Sequence, residues 1–399
     1  MDRCLMVSVL VLSVVTRPLA AQVRVGIDVL LSDSMHLVRG QRVRLLTNQT
    51  GVDRHGHPDL ERLEAAGVRV IGLYSPEHGF QGALDRPDIP NSIDRTSGLP
   101  IYSLYGGTHP PLDSTDAVLI DLQDVGARYY TYVATASLLM TAAARARVPV
   151  IVLDRPNPLG GSIVQGNVAE RPRPASDLPG VLPVAMRHGM TLGEMLRMAN
   201  DLYALHANLT VVPAAGWRRD MSADETGLAW ITPSPALPTL ESARHYPGLC
   251  LFEGTNLSVG RGTALAFQMV GAPWLDAHAL IAHMAGAPGL QGVALSADTV
   301  TPSEPPDGKY AGRALRVVRL RVTDQATYDP THAAVALLAA LLAAYPDSFQ
   351  FKVVRFDRLA DGPALRDALL AHQAPDAIWK DWASALAAFA RVRLKYLLY

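Results

Sequence analysis

Glu77 and His78 stand side by side in the stretch Tyr74-Ser75-Pro76-Glu77-His78-Gly79-Phe80-Gln81-Gly82, directly after an apolar run over residues 68–73. A carboxylate and an imidazole where a strand gives way to a loop could hold and move a proton. Pro76 stiffens that loop, and Gly79 and Gly82 let it turn sharply. The competing reading is an acidic N-cap on a following helix. Polar groups recur in comparable places. Asn48 and Gln49 follow an apolar run at 43–47. Asp121, Gln123, Asp124 and Arg128, with Tyr129, Tyr130 and Tyr132, follow the run at 117–121. Asp154, Arg155 and Asn157 follow the run at 150–153. Further on, the run 249–253 reads as a strand with a second strand-end carboxylate, Glu253, and Asn256 and Arg261 come with Gly254, Gly260 and Gly262. Amide and guanidinium donors suit hydroxyl, carbonyl or carboxylate oxygens, and glycines let a ligand approach the backbone. A structural turn with a buried Glu253–Arg261 pair is the alternative there.

Carboxylates, hydrogen-bonding side chains and aromatic faces together suit a sugar ring, which is polar at its edges and apolar on its faces. Glycoside cleavage needs a proton donor on the leaving oxygen and a base or nucleophile at the other side of the anomeric carbon. Partial burial raises the pKa of a glutamate into the range of a donor, and His78 could tune or relay its proton. Other chemistries lack their signatures. No His-Glu-x-x-His pattern points to a metal, and His55-Gly56-His57 lies in a polar loop. No Gly-x-Ser-x-Gly elbow occurs, and Cys250 sits in an apolar run, as a core thiol does. The first strand leads into Asn48-Gln49-Thr50-Gly51 without the glycine spacing of a dinucleotide site, and no Walker lysine motif is present. No cofactor is expected.

The elements that must position these groups are short apolar, β-branched runs at 43–47, 68–74, 117–121, 150–153 and 209–212, separated by helical patterns at 58–66, 134–147 and 191–205. Thr191 and Glu194 form a capping-box pattern. Such alternation predicts a Rossmann-like α/β unit, a mostly parallel sheet with helices on both faces, over residues 22–270. In a parallel sheet the polar groups after each strand converge on one edge, where ligands bind. Beyond it, alternation at 315–322 and helical periods at 333–345, 364–372 and 377–396 predict a smaller α+β unit over 271–399, forming one wall of a cleft.

The chain has 399 residues with a net charge of -1, 49% hydrophobic and 18% charged, and no long run of one sign. That allows a large core and offers nothing to nucleic acid or an anionic membrane. Arg3, the apolar run at 5–15 and Ala20-Ala21 describe a secretory leader over residues 1–21, cleaved near Ala21, too short to span a bilayer. The expected location is the periplasm or outside the cell, with Cys250 as the single thiol left.

Taken together, Ser75-Pro76-Glu77-His78-Gly79-Phe80-x-Gly82, Asp121-Leu122-Gln123-Asp124-Val125-Gly126-x-Arg128-Tyr129-Tyr130-x-Tyr132, Asp154-Arg155-Pro156-Asn157-Pro158 and Phe252-Glu253-Gly254-Thr255-Asn256 resemble the NamZ-type exo-β-N-acetylmuramidases. The resemblance runs on through Gly260-Arg261-Gly262-Thr263 and Gly271-Ala272-Pro273-Trp274 to the terminal Tyr396-Leu397-Leu398-Tyr399. One departure is Val259, where an acidic residue is common, a change expected at the rim of the site. The resemblance implies release of N-acetylmuramic acid (MurNAc) from non-reducing ends of peptidoglycan fragments of the MurNAc–GlcNAc (N-acetylglucosamine) type. It also implies that Glu77 is the catalytic glutamate. The second group would be Asp124 or Glu253, or the substrate's own acetamido oxygen. Arg128 or Arg261 would suit the lactyl carboxylate of muramic acid.

Overall fold

The computed structural model describes residues 23–86, 88–106, 109–176 and 180–399, so the leader expected over 1–21 lies outside the described residues. Strands β1 (Arg42–Thr47), β2 (Arg69–Ser75), β3 (Ser92–Ile93), β4 (Pro100–Ser103), β5 (Ala117–Asp121) and β6 (Val150–Leu153) are followed by a hairpin of β7 (Gln165–Val168) and β8 (Ala185–Arg187). Strand β9 (Leu209–Val212) completes a seven-stranded sheet in the order β3-β4-β2-β1-β5-β6-β9. All its pairs are parallel except β3 with β4. The chain runs outward from β1 through β2 to β4, then returns to β5 on the other side of β1. The crevice beyond the carboxyl ends of β1 and β5 is thus the point where the winding reverses.

Side-chain alternation along these strands builds two cores. Val43, Leu45, Leu73, Leu119, Ile151 and Leu153 face one side, under Ile27 and Leu30 of helix Gly26–Asp33 and Leu63 of helix Asp59–Ala65. Leu46, Tyr74, Val118, Ile120 and Val152 face the other, under Tyr132 and Leu139 of helix Tyr132–Ala146 and Met195 and Leu196 of helix Leu192–Leu202. Each such side chain, fully buried, contributes about 1.5–3 kcal/mol. Thr191 caps the last of these helices as its sequence predicts. Its hydroxyl accepts from the Glu194 amide at 3.3 Å, and its own amide donates to Glu194 Oε2 at 3.1 Å.

The second unit is built on an antiparallel sheet of β10 (Met269–Ala272), β11 (Val293–Val300) and β12 (Leu315–Val322), with β12 in the middle. Helices Leu240–Leu249 and Ala277–His283 pack on it, helix Pro330–Ala344 packs against both, and helix Val353–Ala360 packs on the turn Cys250–Gly254. Phe252, Val318, Leu320, Leu337 and Phe356 join the core that already covers the main sheet. The two units therefore share one apolar interior. The expected boundary at residue 270 falls inside β10, which pairs with β12. A change in composition marks the loop beyond a strand better than it marks the strand. The chain ends back on the first unit, where Tyr399 donates to Asp154 and the Leu398 amide to Glu194, both at 2.8 Å. No helix among the described residues is long and apolar enough to cross a membrane.

Candidate active site

Glu77 lies just past the carboxyl end of β2, half-buried in a tight loop. The loop is held by His78, which adopts a φ of 72° and so sits in the left-handed region that side chains usually avoid. His78 is buried, its Nδ1 lies 2.7 Å from the Leu84 carbonyl, and the Leu84 amide donates back to the His78 carbonyl at 3.1 Å. His78 thus closes the loop that presents Glu77, rather than pairing its Nδ1 with the carboxylate. Thr131, at the start of helix Tyr132–Ala146, donates its hydroxyl to Glu77 Oε2 at 2.6 Å. The Tyr105 phenol lies beside the same carboxylate. Burial first, and then the charge of Glu77, push that phenol well above its ordinary range.

Glu77 opens into a cavity of about 190 Å³ whose walls come from both units. Tyr129, Tyr130, Tyr246 and Phe267 form its aromatic side. Tyr246 meets the Phe267 ring edge-on at 4.7 Å and Tyr129 at 6.1 Å. The Tyr130 and Tyr132 hydroxyls both donate to the Pro233 carbonyl, at 2.9 and 2.7 Å, fixing the segment that carries Ser234 and Leu237 into the cavity. The opposite side is charged. Arg261 Nη1 donates to Glu253 Oε1 at 2.8 Å, and its Nη2 reaches both oxygens of Asp85 at 2.9 and 3.0 Å. Arg355 donates to the other oxygen of Glu253. Burial opposes the charge on Arg261, but Glu253 and Asp85 more than offset that, and its pKa is held above the ordinary value. Lys309 lies behind this wall, its Nζ donating to the carbonyls of Phe252, Glu253 and Leu257 at 3.3, 3.3 and 2.8 Å. Burial lowers its pKa to about 8. Burial also pushes the Cys250 thiol far up, which leaves it a poor nucleophile.

Of the residues proposed from sequence, the structure gathers Glu77, His78, Tyr129, Tyr130, Glu253 and Arg261 around this cavity. It does not bring the others there. Asp124 is buried away from it, accepting from the Gly126 amide at 2.7 Å with His188 at 3.4 Å. Arg128 spends its guanidinium on the Asn167, Val184 and Leu359 carbonyls and on Asn167 Oδ1. Asn48 joins Tyr132 to the Thr50 turn, and Gln49 donates to the Thr232 carbonyl. Asp154 receives Thr191, Gly193 and Tyr399. Arg155 pairs with Asp121, Asn157 ties Met190 to Leu159, and Asn256 ties down the 348–350 loop. Apart from Asn256, which belongs to the second unit, these groups follow strands of the main sheet, but they fasten the loops there and do not line the cavity. Glu253 is carried by a 3-10 turn, Cys250–Gly254, at the end of helix Leu240–Leu249, not by a strand end. Val259 is fully buried in the main core and so forms no rim.

Sequence reasoning missed Tyr105, Thr131, Asp85 and Arg355. The last sits on helix Val353–Ala360, whose buried Phe356, Leu359 and Ala360 have the spacing of an amphipathic face. A larger cavity of about 380 Å³ lies nearer the winding reversal, lined among others by Thr50, Gln123, Arg155 and Trp230. Its carboxylates are already paired with arginines, Asp53 with Arg62 and Asp224 with Arg244, which favours the Glu77 cavity for acid chemistry. Among the described residues no group of three or more His, Cys, Asp or Glu is placed to hold a metal ion.

Comparison with known proteins agrees over 95% of the chain. Residues 43–241 match the model of the N-terminal part of exo-β-N-acetylmuramidase NamZ, and residues 244–399 match that of its C-terminal part. The chain is 36% identical over 385 residues to the peptidoglycan β-N-acetylmuramidase NamZ of Bacillus subtilis (strain 168), covering 95% of this chain and 92% of that one. Two crystal structures of DUF1343 family proteins from Bacteroides fragilis NCTC 9343 superpose with TM-scores of 0.84 and 0.73. They are 32% and 28% identical, and each match covers 95% of this chain and 99% of the other. With a mostly parallel sheet, a second unit forming one wall of the Glu77 cavity and family matches over both parts, this chain belongs to the NamZ exo-β-N-acetylmuramidase family.

Proposed function

We propose that this protein is an exo-acting glycoside hydrolase that releases MurNAc from the non-reducing ends of peptidoglycan fragments, with Glu77 as general acid. The observation that carries the acid role is the asymmetry of the two carboxylates lining the cavity. Both oxygens of Glu253 accept from guanidinium groups, whereas Glu77 is met by the neutral hydroxyls of Thr131 and Tyr105 and lines the cavity half-buried. Donating a proton to the leaving oxygen needs a carboxyl group that faces the substrate, and Glu77 does. Glu253, fixed between two arginines, is better placed to set the field of the wall than to attack carbon. That favours the substrate's own acetamido oxygen as the attacking group. It would bond to the anomeric carbon as the glycosidic bond breaks and Glu77 protonates the departing oxygen; water would then open the ring so formed. A cavity of about 190 Å³, on the scale of one sugar ring, suits removal of a terminal residue more than cleavage within a strand. The leader read in residues 1–21 of the sequence supports action in the periplasm or outside the cell.

The test is incubation of the purified protein with MurNAc-β-1,4-GlcNAc, following free MurNAc by mass spectrometry beside a folded Glu77→Gln protein. Release by the intact protein and a loss of roughly 100-fold or more in the variant are expected. A folded protein that binds this disaccharide and releases nothing would be a muropeptide-binding protein and would overturn the reading.

A further inference from the structure

The cavity wall holds two arginines, and they differ in what they have left to offer. Arg261 has 16% of its side chain exposed and is committed to Glu253 through Nη1 and to Asp85 through Nη2, while its Nε, which has no partner, is shut off from the surface. Arg355 donates through Nη2 to Glu253, yet 52% of its side-chain surface stays exposed. A guanidinium has five N–H donors, so one bond to Glu253 steers the group without consuming it. Its charge reaches the catalytic side of the cavity, because it counters the upward push of Glu77 and Asp85 on the Tyr105 phenol. The cation comes from the second unit, on helix Val353–Ala360, while Glu77 comes from the first. The helix is seated firmly. A methyl group at Gly254 would fall 2.5 Å from Phe356 Cα, and the Lys352 amide donates to the Gly254 carbonyl at 2.8 Å. The turn that carries Glu253 and the helix that carries Arg355 therefore form one rigid corner.

We propose that Arg355 is the specificity residue of this site, binding the carboxylate of a 3-O-lactyl amino sugar and so separating it from the same sugar without that group. The inference rests on the glycosidase reading above and names the part of the substrate that the second unit recognises. Glu253 holds the guanidinium in place, and the incoming carboxylate takes its open donors as a charge-assisted pair in a partly desolvated wall. Arg128, buried and with both Nη groups bonded to Asn167, Val184 and Leu359, has no such capacity. The consequence reaches beyond affinity. A lactyl group capped as an amide, as it is wherever a peptide is attached, offers no charge to Arg355 and is bound poorly.

A cycle of enzyme and substrate changes tests this. Turnover is measured on a MurNAc aryl glycoside and on its lactyl carboxamide, for the intact protein and for Arg355→Met, which keeps an unbranched stem. The intact protein is expected to favour the free acid by roughly 10- to 100-fold in kcat/KM, mostly through KM, and the variant to treat both within about 2-fold. Arg355→Lys is expected to fall between them. An unchanged preference in Arg355→Met, with the fold intact by circular dichroism, would overturn the assignment. Calorimetric binding of MurNAc and its carboxamide to Glu77→Gln separates this inference from the catalytic reading. Discrimination there without turnover in the intact protein sinks the glycosidase and keeps Arg355. Equal binding of the two ligands sinks Arg355 whatever the turnover.

Discussion

Replacing Asp154 with asparagine isolates one buried charge and its effect on stability. Asp154 is 1% exposed at the end of β6 and accepts three hydrogen bonds, from the Thr191 hydroxyl at 2.6 Å, the Gly193 amide at 2.9 Å and the Tyr399 hydroxyl at 2.8 Å. Burial raises its pKa from 3.8 to about 6, against the lowering effect of those donors. An acid raised in this way keeps its proton longer in the folded chain than in the unfolded one. Between these two values the folded state binds more protons, so stability falls as pH rises through the window and is level above it. At 1.36 kcal/mol per pH unit the interval amounts to about 3 kcal/mol. In the Asp154→Asn protein Oδ1 can still accept from Gly193, while the two hydroxyls can turn to accept from the new amide. The fold is kept and the titration is gone. The assay is urea unfolding at intervals from about pH 4 to about pH 7, read by tryptophan fluorescence, since Trp217 lies edge-on to Tyr399 at 4.8 Å. The stability of the intact protein relative to the variant should drop by about 3 kcal/mol over that range. A difference that stays flat, or one that grows with pH, refutes the reasoning.

Other side chains can be tested in the same spirit. Arg128→Met strands four acceptors and is expected to cost about 3 kcal/mol or more in urea unfolding. KM for a sugar substrate should hold within about twofold, and a raised KM at unchanged stability would return Arg128 to the binding site. Lys309, lowered from 10.5 to about 8, gives up its proton earlier in the folded chain, so stability should rise with pH between those values. Lys309→Met should remove that rise, and a rise that persists in the variant assigns it to another group.

How much of this was legible in the sequence depends on what each feature needs. Val43, Leu45, Leu73, Leu119 and Ile151 declare a buried parallel strand set through composition alone, because every one of them must be apolar whatever its partner. Thr191 and Glu194 declare a helix start because their bonds are local. Glu77 could be singled out because the loop signals around it are also local. Arg128 and Arg355 could not be told apart in this way. Each is an arginine with plausible neighbours, and the distinction lies in whether distant carbonyls such as Leu359 have taken the donors. The run 249–253 reads as a strand because a short apolar stretch carries no period, and only packing against helix Val353–Ala360 shows it to be a helical turn. That helix has a legible amphipathic face but no side-chain cap at Lys352 to announce it. Asp124, Asp154, Arg155 and Asn157 look like site residues for a physical reason. Fixing loops at the open edge of a parallel sheet takes the same polar types as binding a ligand there.

The central claim is that Glu77 delivers a proton to the leaving oxygen, and leaving-group dependence tests it most directly. The intact protein and Glu77→Gln would be compared on MurNAc-β-1,4-GlcNAc and on a dinitrophenyl glycoside of MurNAc, whose phenolate departs without needing a proton. The account predicts that the substitution lowers kcat/KM on the disaccharide by roughly 100-fold or more and on the aryl glycoside by less than about 10-fold. Equal losses on both substrates would contradict it, moving Glu77 from proton donor to a role in positioning or attack.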